Sequence, residues 1–211
     1  VDAPTPGYLV TASASGAGKT YLAEMLATIA SGTPMARVAP GDRKDSNREM
    51  RWKIAEAIYR GAQVVCIDNI PSGSEFGDDE LAAMITAFGS TWVRAVARPS
   101  CLVDVRGTHL FATGIDVTLN TEMARRMLTI RLGRSAERRY PEPRDWIREN
   151  RAQVHAHVVR ALRLWVDAGA PEPRRLHGSF RKWSELVAGA ACYLRPDLED
   201  AWHPELIPAE R

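Results

Sequence analysis

Cysteine is scarce in this chain: Cys66, Cys101 and Cys192 are the only three in 211 residues, and none forms a C-x-x-C pair. Three scattered thiols exclude a disulfide framework and speak against a structural zinc site. His155 and His157 do not repair that lack, because residues two apart on a helix face different directions. Long hydrophobic runs are also missing. None approaches the roughly 20 apolar residues of a membrane span, and no signal-like apolar segment opens the chain. The expected setting is therefore cytoplasmic, without a membrane partner. Lysine is rare, 4 against 24 arginines, and no internal repeat is visible. What the chain does have is 45% hydrophobic residues, too many for a disordered protein and ordinary for a globular one. The length suits one large domain, or a domain with a small appendage. A start at Val1 instead of Met leads us to expect a piece of something longer.

The net charge of +2 is a cancellation. Residues 1–124 carry −3, residues 125–182 carry +9 and residues 183–211 carry −4. A local excess of nine positive charges suits a polyanion, since Lys and Arg contacts to phosphate drive non-specific nucleic-acid binding. A solvated helix face in an arginine-rich protein accounts for it equally well. Arg131, Arg134, Arg138 and Arg139 carry much of this excess.

Periodicity divides the chain in two. Residues 8–12 (YLVTA) form a short buried strand, and a helix with Tyr21, Leu22, Met25, Leu26 and Ile29 at helical spacing follows from Gly18 to Gly32. A weak strand is expected at 35–39. A helix capped by Ser46 or Asn47 carries Met50, Ile54 and Ile58 up to Gly61. Residues 64–67 (VVCI) lack alternation, as a strand buried on both faces should. Leu81, Met84, Ile85 and Phe88 mark a further helix. Residues 92–97 and 101–105 read as a hairpin around Pro99, with Trp92 packing into the core. Strands follow at 109–113 and 128–132. Beyond residue 140 the strand signals stop. Trp146, Ile147, Val154, Val158, Leu162 and Trp165 make one core-facing stripe, and Phe180, Trp183, Val187, Ala191 and Leu194 another. Strands interleaved with helices, then helices alone, predict an α/β core with a mostly parallel sheet over residues 1–140 and a helical lid or appendage over 141–211.

Residues 13–20 read SASGAGKT, which matches the phosphate-loop pattern G-x-x-x-x-G-K-[ST] except that Ser13 replaces the first glycine. Ser13, Ala14, Ser15, Gly16, Ala17 and Gly18 are small enough for successive backbone N–H groups to converge on phosphates at a helix N-terminus. Lys19 would reach the β- and γ-phosphates of ATP, Thr20 would put its hydroxyl on Mg2+, and Tyr21 continues the nucleotide-binding stretch. The competing reading is a glycine-rich strand–helix turn that binds nothing. Asp68 ends the second buried strand, where a carboxylate can hold the metal's water shell. Asn69 follows it at the place where many ATPases carry the Glu that polarises the attacking water. An amide cannot accept that proton and can only position the water.

The ordered set SASGAGKT, VVCIDN, LFATGID and NTEMARRMLTIRL resembles the AAA+ ATPase module of phage and mobile-element primase-helicases, which are related to superfamily 3 helicases. GSFRKWSELVAG resembles a motif that often follows in the same proteins, so the likeness spans residues 7–194. It implies a three-layer P-loop core of the AAA+ type over residues 1–140, and an ATPase with ATP bound between subunits of a ring, commonly a hexamer. It also implies single-stranded DNA in the channel, a possible fused primase domain, and a bacterial or phage-infected cell. It assigns the γ-phosphate sensor to the residues after LFATG, which are Ile115 and Asp116; Ile cannot sense phosphate, leaving Thr113 or Asp116. Arg125 or Arg126 would act as the finger on the neighbouring nucleotide, a role that suits a planar, permanently charged guanidinium. A hairpin before the sensor strand would touch DNA, which singles out Arg94, Arg98 and Arg106. Two other readings stay open: a nucleotide-dependent switch or assembly module with little turnover, and a small-molecule P-loop kinase. Strand order separates the last. A strand inserted between those bearing the phosphate loop and Asp68 fits the ATPase and not the kinase.

Overall fold

The computed structural model describes residues 3–40, 46–87, 89–93, 101–133, 143–174 and 176–198. Its elements run β1 (Gly7–Ala12), α1 (Lys19–Ser31), β2 (Ala36–Val38), α2 (Ser46–Tyr59), β3 (Val64–Ile70), β4 (Glu75–Phe76), α3 (Asp79–Thr86), β5 (Ser90–Val93), β6 (Cys101–Asp104), β7 (His109–Ile115), β8 (Thr118–Leu119), α4 (Thr121–Ala124), β9 (Met127–Leu132) and α5 (Pro143–Asp167). The main sheet has the order β2-β3-β7-β1-β9, and every pairing in it is parallel. The strand carrying Thr113 thus lies between the strand that feeds SASGAGKT and the strand that ends in Asp68.

Parallel strands covered by helices on both faces need apolar side chains in both directions. Along β1, Leu9 joins the core shared with Met50 and Ile54 of α2 and Leu81 of α3. Its neighbour Val10 joins the opposite core, with Ala23 and Ala27 of α1 and Phe111 of β7. Alternation across one strand therefore builds three layers, with α1 on one face and α2 and α3 on the other. Tyr8 and Phe111 are register partners on adjacent strands, and their rings stack at 5.0 Å.

Caps account for the element ends. Gly32 takes a left-handed conformation and its N–H bonds the Thr28 carbonyl, closing α1. The Asp78 carboxylate accepts the Leu81 N–H at 2.8 Å at the start of α3, and the Asn120 side chain does the same for Met123 in α4 at 2.9 Å. β4 and β8 are two-residue strands that pair in parallel, too short for a periodicity reading to find.

α5 packs along α1. Arg151 donates to the Ile29 carbonyl from Nε and to the Ala30 carbonyl from Nη2, each at 2.9 Å. His155 Nε2 lies 2.5 Å from the Ile29 oxygen. These contacts satisfy carbonyls that the end of α1 leaves open. The single helix expected around 180–194 is instead a 3-10 turn (Gly178–Phe180), α6 (Arg181–Trp183), a π-helical turn (Ser184–Ala188) and α7 (Gly189–Leu194). α7 comes close to α5 at Gly189, where a Cβ would meet the Trp165 ring at 3.1 Å.

Several core assignments made from periodicity are corrected. Trp92 is 71% exposed, paired across the β5–β6 hairpin with the exposed Leu102, while Val103 on the other face is buried. Both faces of that hairpin carry apolar residues, so alternation could not say which turns inward. Trp146 and Val158 on α5, and Val187 and Leu194 further on, are likewise exposed. Along the 25 residues of α5, α1 engages Arg144, Arg151 and His155 and α7 reaches Trp165, so only some positions of the apolar stripe meet a partner element. Ile147, Trp165, Phe180 and Trp183 are buried, as expected. Phe88, Arg94, Arg98, Arg134, Arg138 and Arg139 lie outside the described residues. Among the described residues, no helix is long and apolar enough to cross a membrane.

Candidate functional site

The C-terminal ends of β1, β3 and β7 gather the residues singled out from the sequence, at the edge where open parallel sheets bind ligands. Residues 13–18 turn from β1 into α1 with Gly16 at φ 73° and Gly18 at φ 87°. Only glycine takes this left-handed conformation freely, which explains both positions. Ser13 does not have a positive φ, so its Cβ is tolerated where the pattern has glycine. Gly18 caps α1 without a side-chain hydrogen bond, and the first turn of α1 holds no acidic residue. The first-turn N–H groups, which have no intrahelical acceptor, and the positive end of the helix dipole therefore lie beside the loop, a setting that attracts an anion. Lys19 Nζ donates to the Ala14 carbonyl at 3.2 Å, folded across the same loop. Tyr21 and the loop residues Ala14 and Ala17 are half-buried, while Ser13, Ser15 and Gly16 are exposed.

Asp68 is the hub. Its Oδ1 accepts the Thr20 hydroxyl at 2.7 Å and the Thr113 hydroxyl at 2.7 Å. Thr113 Oγ1 in turn accepts the Asn69 N–H at 3.0 Å. Two strands, β3 and β7, and one helix, α1, thus converge on one carboxylate. Beneath it, burial and the nearby Asp68 charge push the Cys66 thiol up to about 12, so Cys66 is a packed neutral group.

Two residues without glycine's freedom are held in left-handed backbone at this edge: Asn69 at φ 67° and Asp116 at φ 47°. The β3–β7 register shifts between Ile67 and Ile70, so Asn69 sits in a bulge that turns it outward, and it is exposed. Asn adopts this conformation more readily than Glu, which gives a backbone reason for the amide at position 69. Asp116 is exposed, and its N–H bonds the Ala12 carbonyl at 3.2 Å, beside the start of the loop.

Three charged residues that sequence reasoning missed adjoin the hub. Arg37 of β2 reaches Asp68 at 3.7 Å and forms a closer pair with Glu24 of α1. Arg144 of α5 reaches the other Glu24 oxygen at 2.7 Å and lies 4.6 Å from the centre of the Tyr21 ring. Glu24 stands one helical turn beyond Thr20, a signal that was available in the sequence. Arg144 lies 120 positions away, and no spacing rule could bring it in.

The paired arginines are elsewhere. β9 runs parallel to β1 with Met127 opposite Gly7 and Leu132 opposite Ala12, so Arg125 and Arg126 begin at the far end of the sheet. One strand of six residues separates them from their own loop, about 20 Å at strand rise. Arg126 is held by Glu122, through its carbonyl at 2.9 Å and its carboxylate, and this guanidinium lowers the pKa of Glu122. The Arg125 side chain is 61% exposed against 20% for Arg126, with a longer 3.3 Å contact to Glu122. In the hairpin, Arg106 is engaged by Asp104 at 2.6 Å, and that pair holds the Asp104 carboxyl down at about 2.

Among the described residues, no cluster of three or more His, Cys, Asp or Glu side chains could cage a metal. A hydroxyl beside one carboxylate suits a hard cation such as Mg2+, which is commonly held by one or two carboxylates together with substrate phosphates. Compared with protein-family models and with curated proteins, the chain matches none.

Proposed function

We propose that this chain is an ATP-binding and ATP-hydrolysing module of the AAA+ type, acting in a subunit ring on single-stranded DNA. The observation that carries the reading is the Thr20–Asp68 hydrogen bond of 2.7 Å, formed although β7 separates the strands of loop and carboxylate. A loop hydroxyl joined to a remote strand's carboxylate puts side by side the two oxygen ligands that a phosphate and metal site needs. The inserted strand counts against the kinase reading.

On this reading residues 13–18 and Tyr21 surround the nucleotide, and Lys19 leaves Ala14 for the terminal phosphates. Thr20 and Asp68 hold Mg2+, which when bound offsets the phosphate charge. Thr113 keeps Asp68 oriented, and Asp116 adjoins the loop where the sensor is expected. Arg125, exposed and far from its own loop, is the better finger for a neighbouring subunit, and Arg126 shapes the α4–β9 corner through Glu122. Arg94, Arg98 and Arg106 of the hairpin are proposed for DNA, with Arg106 having to leave Asp104 first. A fused primase domain and a phage or mobile-element origin belong to the same proposal. A second reading, a nucleotide-gated switch with little turnover, is favoured by one observation: Asn69 offers no proton acceptor beside Asp68.

The test is ATPase activity with and without single-stranded DNA. Lys19→Ala and Arg125→Ala should each lower turnover at least about 100-fold, in the range that removal of a charge-stabilising donor gives. Mixing the two variants should restore part of it if sites are shared between subunits. ATP binding without turnover in the unaltered protein selects the switch.

A further inference from the structure

Four charges alternate in sign along one line of contacts that begins at Asp68. Its Oδ2 faces Arg37 Nη1 at 3.7 Å. Arg37 Nη2 makes a close pair with Glu24 Oε1, and Glu24 Oε2 takes Arg144 at 2.7 Å. The chain therefore runs from β3 through β2 and α1 to the first turn of α5.

Of its two acidic neighbours, Arg37 is nearer Glu24. At 3.7 Å its approach to Asp68 is an ion pair without a hydrogen bond, and the other Asp68 oxygen is already committed to the Thr20 and Thr113 hydroxyls. A guanidinium moved fully onto Asp68 would compete with any cation for that carboxylate. We propose that Glu24 is a positioning residue: it draws Arg37 off Asp68 and so keeps that carboxylate free for Mg2+. Arg144, by sharing Glu24, lets α5 set how firmly Arg37 is withheld. This inference rests on reading the loop as an ATP and Mg2+ site.

The arrangement gives changes of opposite sign. Removing Arg37 removes the competing cation. Removing the Glu24 charge releases Arg37 onto Asp68. Removing Arg144 leaves Glu24 to Arg37 alone. Ordinary structural damage would instead weaken the site in every variant.

The experiment is equilibrium binding of a fluorescent ATP analogue to the full chain, once in EDTA and once in saturating Mg2+, read as the ratio of the two dissociation constants. Thermal melts check that each variant is folded. Arg37→Gln should raise the metal-dependent gain about two- to fivefold and Glu24→Gln should lower it by a similar factor, while Arg144→Ala should raise it by about twofold or less, as expected for partly exposed pairs. Because Glu24 acts through Arg37, Glu24→Gln should have no effect in the Arg37→Gln background. Shifts of Arg37→Gln and Glu24→Gln in the same direction, or an undiminished Glu24→Gln effect in that background, overturn the inference alone. Binding that Mg2+ does not strengthen in the unaltered chain overturns the proposed site and this inference with it.

Discussion

The two ends of the parallel sheet are built differently. At the C-terminal end, β1, β3 and β7 terminate in a glycine turn, a shared carboxylate, two threonine hydroxyls and two left-handed residues, Asn69 and Asp116. At the N-terminal end, Gly7, Val65 and Leu110 meet Ile54, Ile58 and Met84 around a small, mostly apolar hollow of about 40 Å3. The first end joins its polar groups through one carboxylate, while beneath β1, β3 and β7 the second is mainly hydrocarbon, with Arg125 and Arg126 at its β9 margin. Strain and polarity gather at the end proposed to hold the nucleotide, while packing at the far end contributes the stability that sustains them.

The largest effect should come from breaking the apolar end. Ile54 is fully buried, so Ile54→Ala should cost about 2–5 kcal/mol and lower Tm by roughly 4–20 °C. Nucleotide affinity measured below the transition should be unchanged. An affinity loss as large as the stability loss would erase the distinction between the two ends.

A matched glycine pair sharpens it. Gly18 (φ 87°) and Gly61 (φ 88°) share a backbone conformation, and a Cβ at either meets nothing within 4 Å. Gly18→Ala and Gly61→Ala should therefore each cost about 1–2 kcal/mol in melts. Only the Gly18 variant should bind nucleotide more weakly, because only it alters the loop.

The smallest effect lies in the helical appendage. His177 is buried, neither ring nitrogen has a hydrogen-bond partner among the described residues, and burial lowers its pKa. The folded protein thus disfavours the protonated ring. Stability should be full above about 6.5, the ordinary imidazole value, and fall as pH drops below it until the ring protonates in the folded state as well. His109, also lowered by burial, adds in the same direction. Melts from pH 8 to pH 5 should show a shallower decline in His177→Leu, with the His109 part remaining.

The core strands could be read from sequence because burial on both faces leaves an uninterrupted apolar run, as in residues 64–67. The loop could be read because Gly16 and Gly18 mark left-handed backbone. The exposed faces could not. Trp92 and Val158 have helical or strand spacing like any core residue, and spacing does not say whether a partner element covers them. The Glu24–Arg37–Arg144 chain was hidden for a related reason, since three elements distant in sequence bring it together. Asn69 looked like a defect in a catalytic pattern, and its left-handed bulge gives a backbone reason for the amide.

The central claim is that residues 13–20 and Asp68 form one site for ATP and Mg2+. Its most direct test is equilibrium ATP binding by titration calorimetry to the unaltered chain, to Lys19→Ala and to Asp68→Asn, each with and without Mg2+. The account predicts binding that Mg2+ strengthens, lost in Lys19→Ala and reduced to its metal-free level in Asp68→Asn. Equal ATP binding by all three proteins, or none by the unaltered chain, would contradict it.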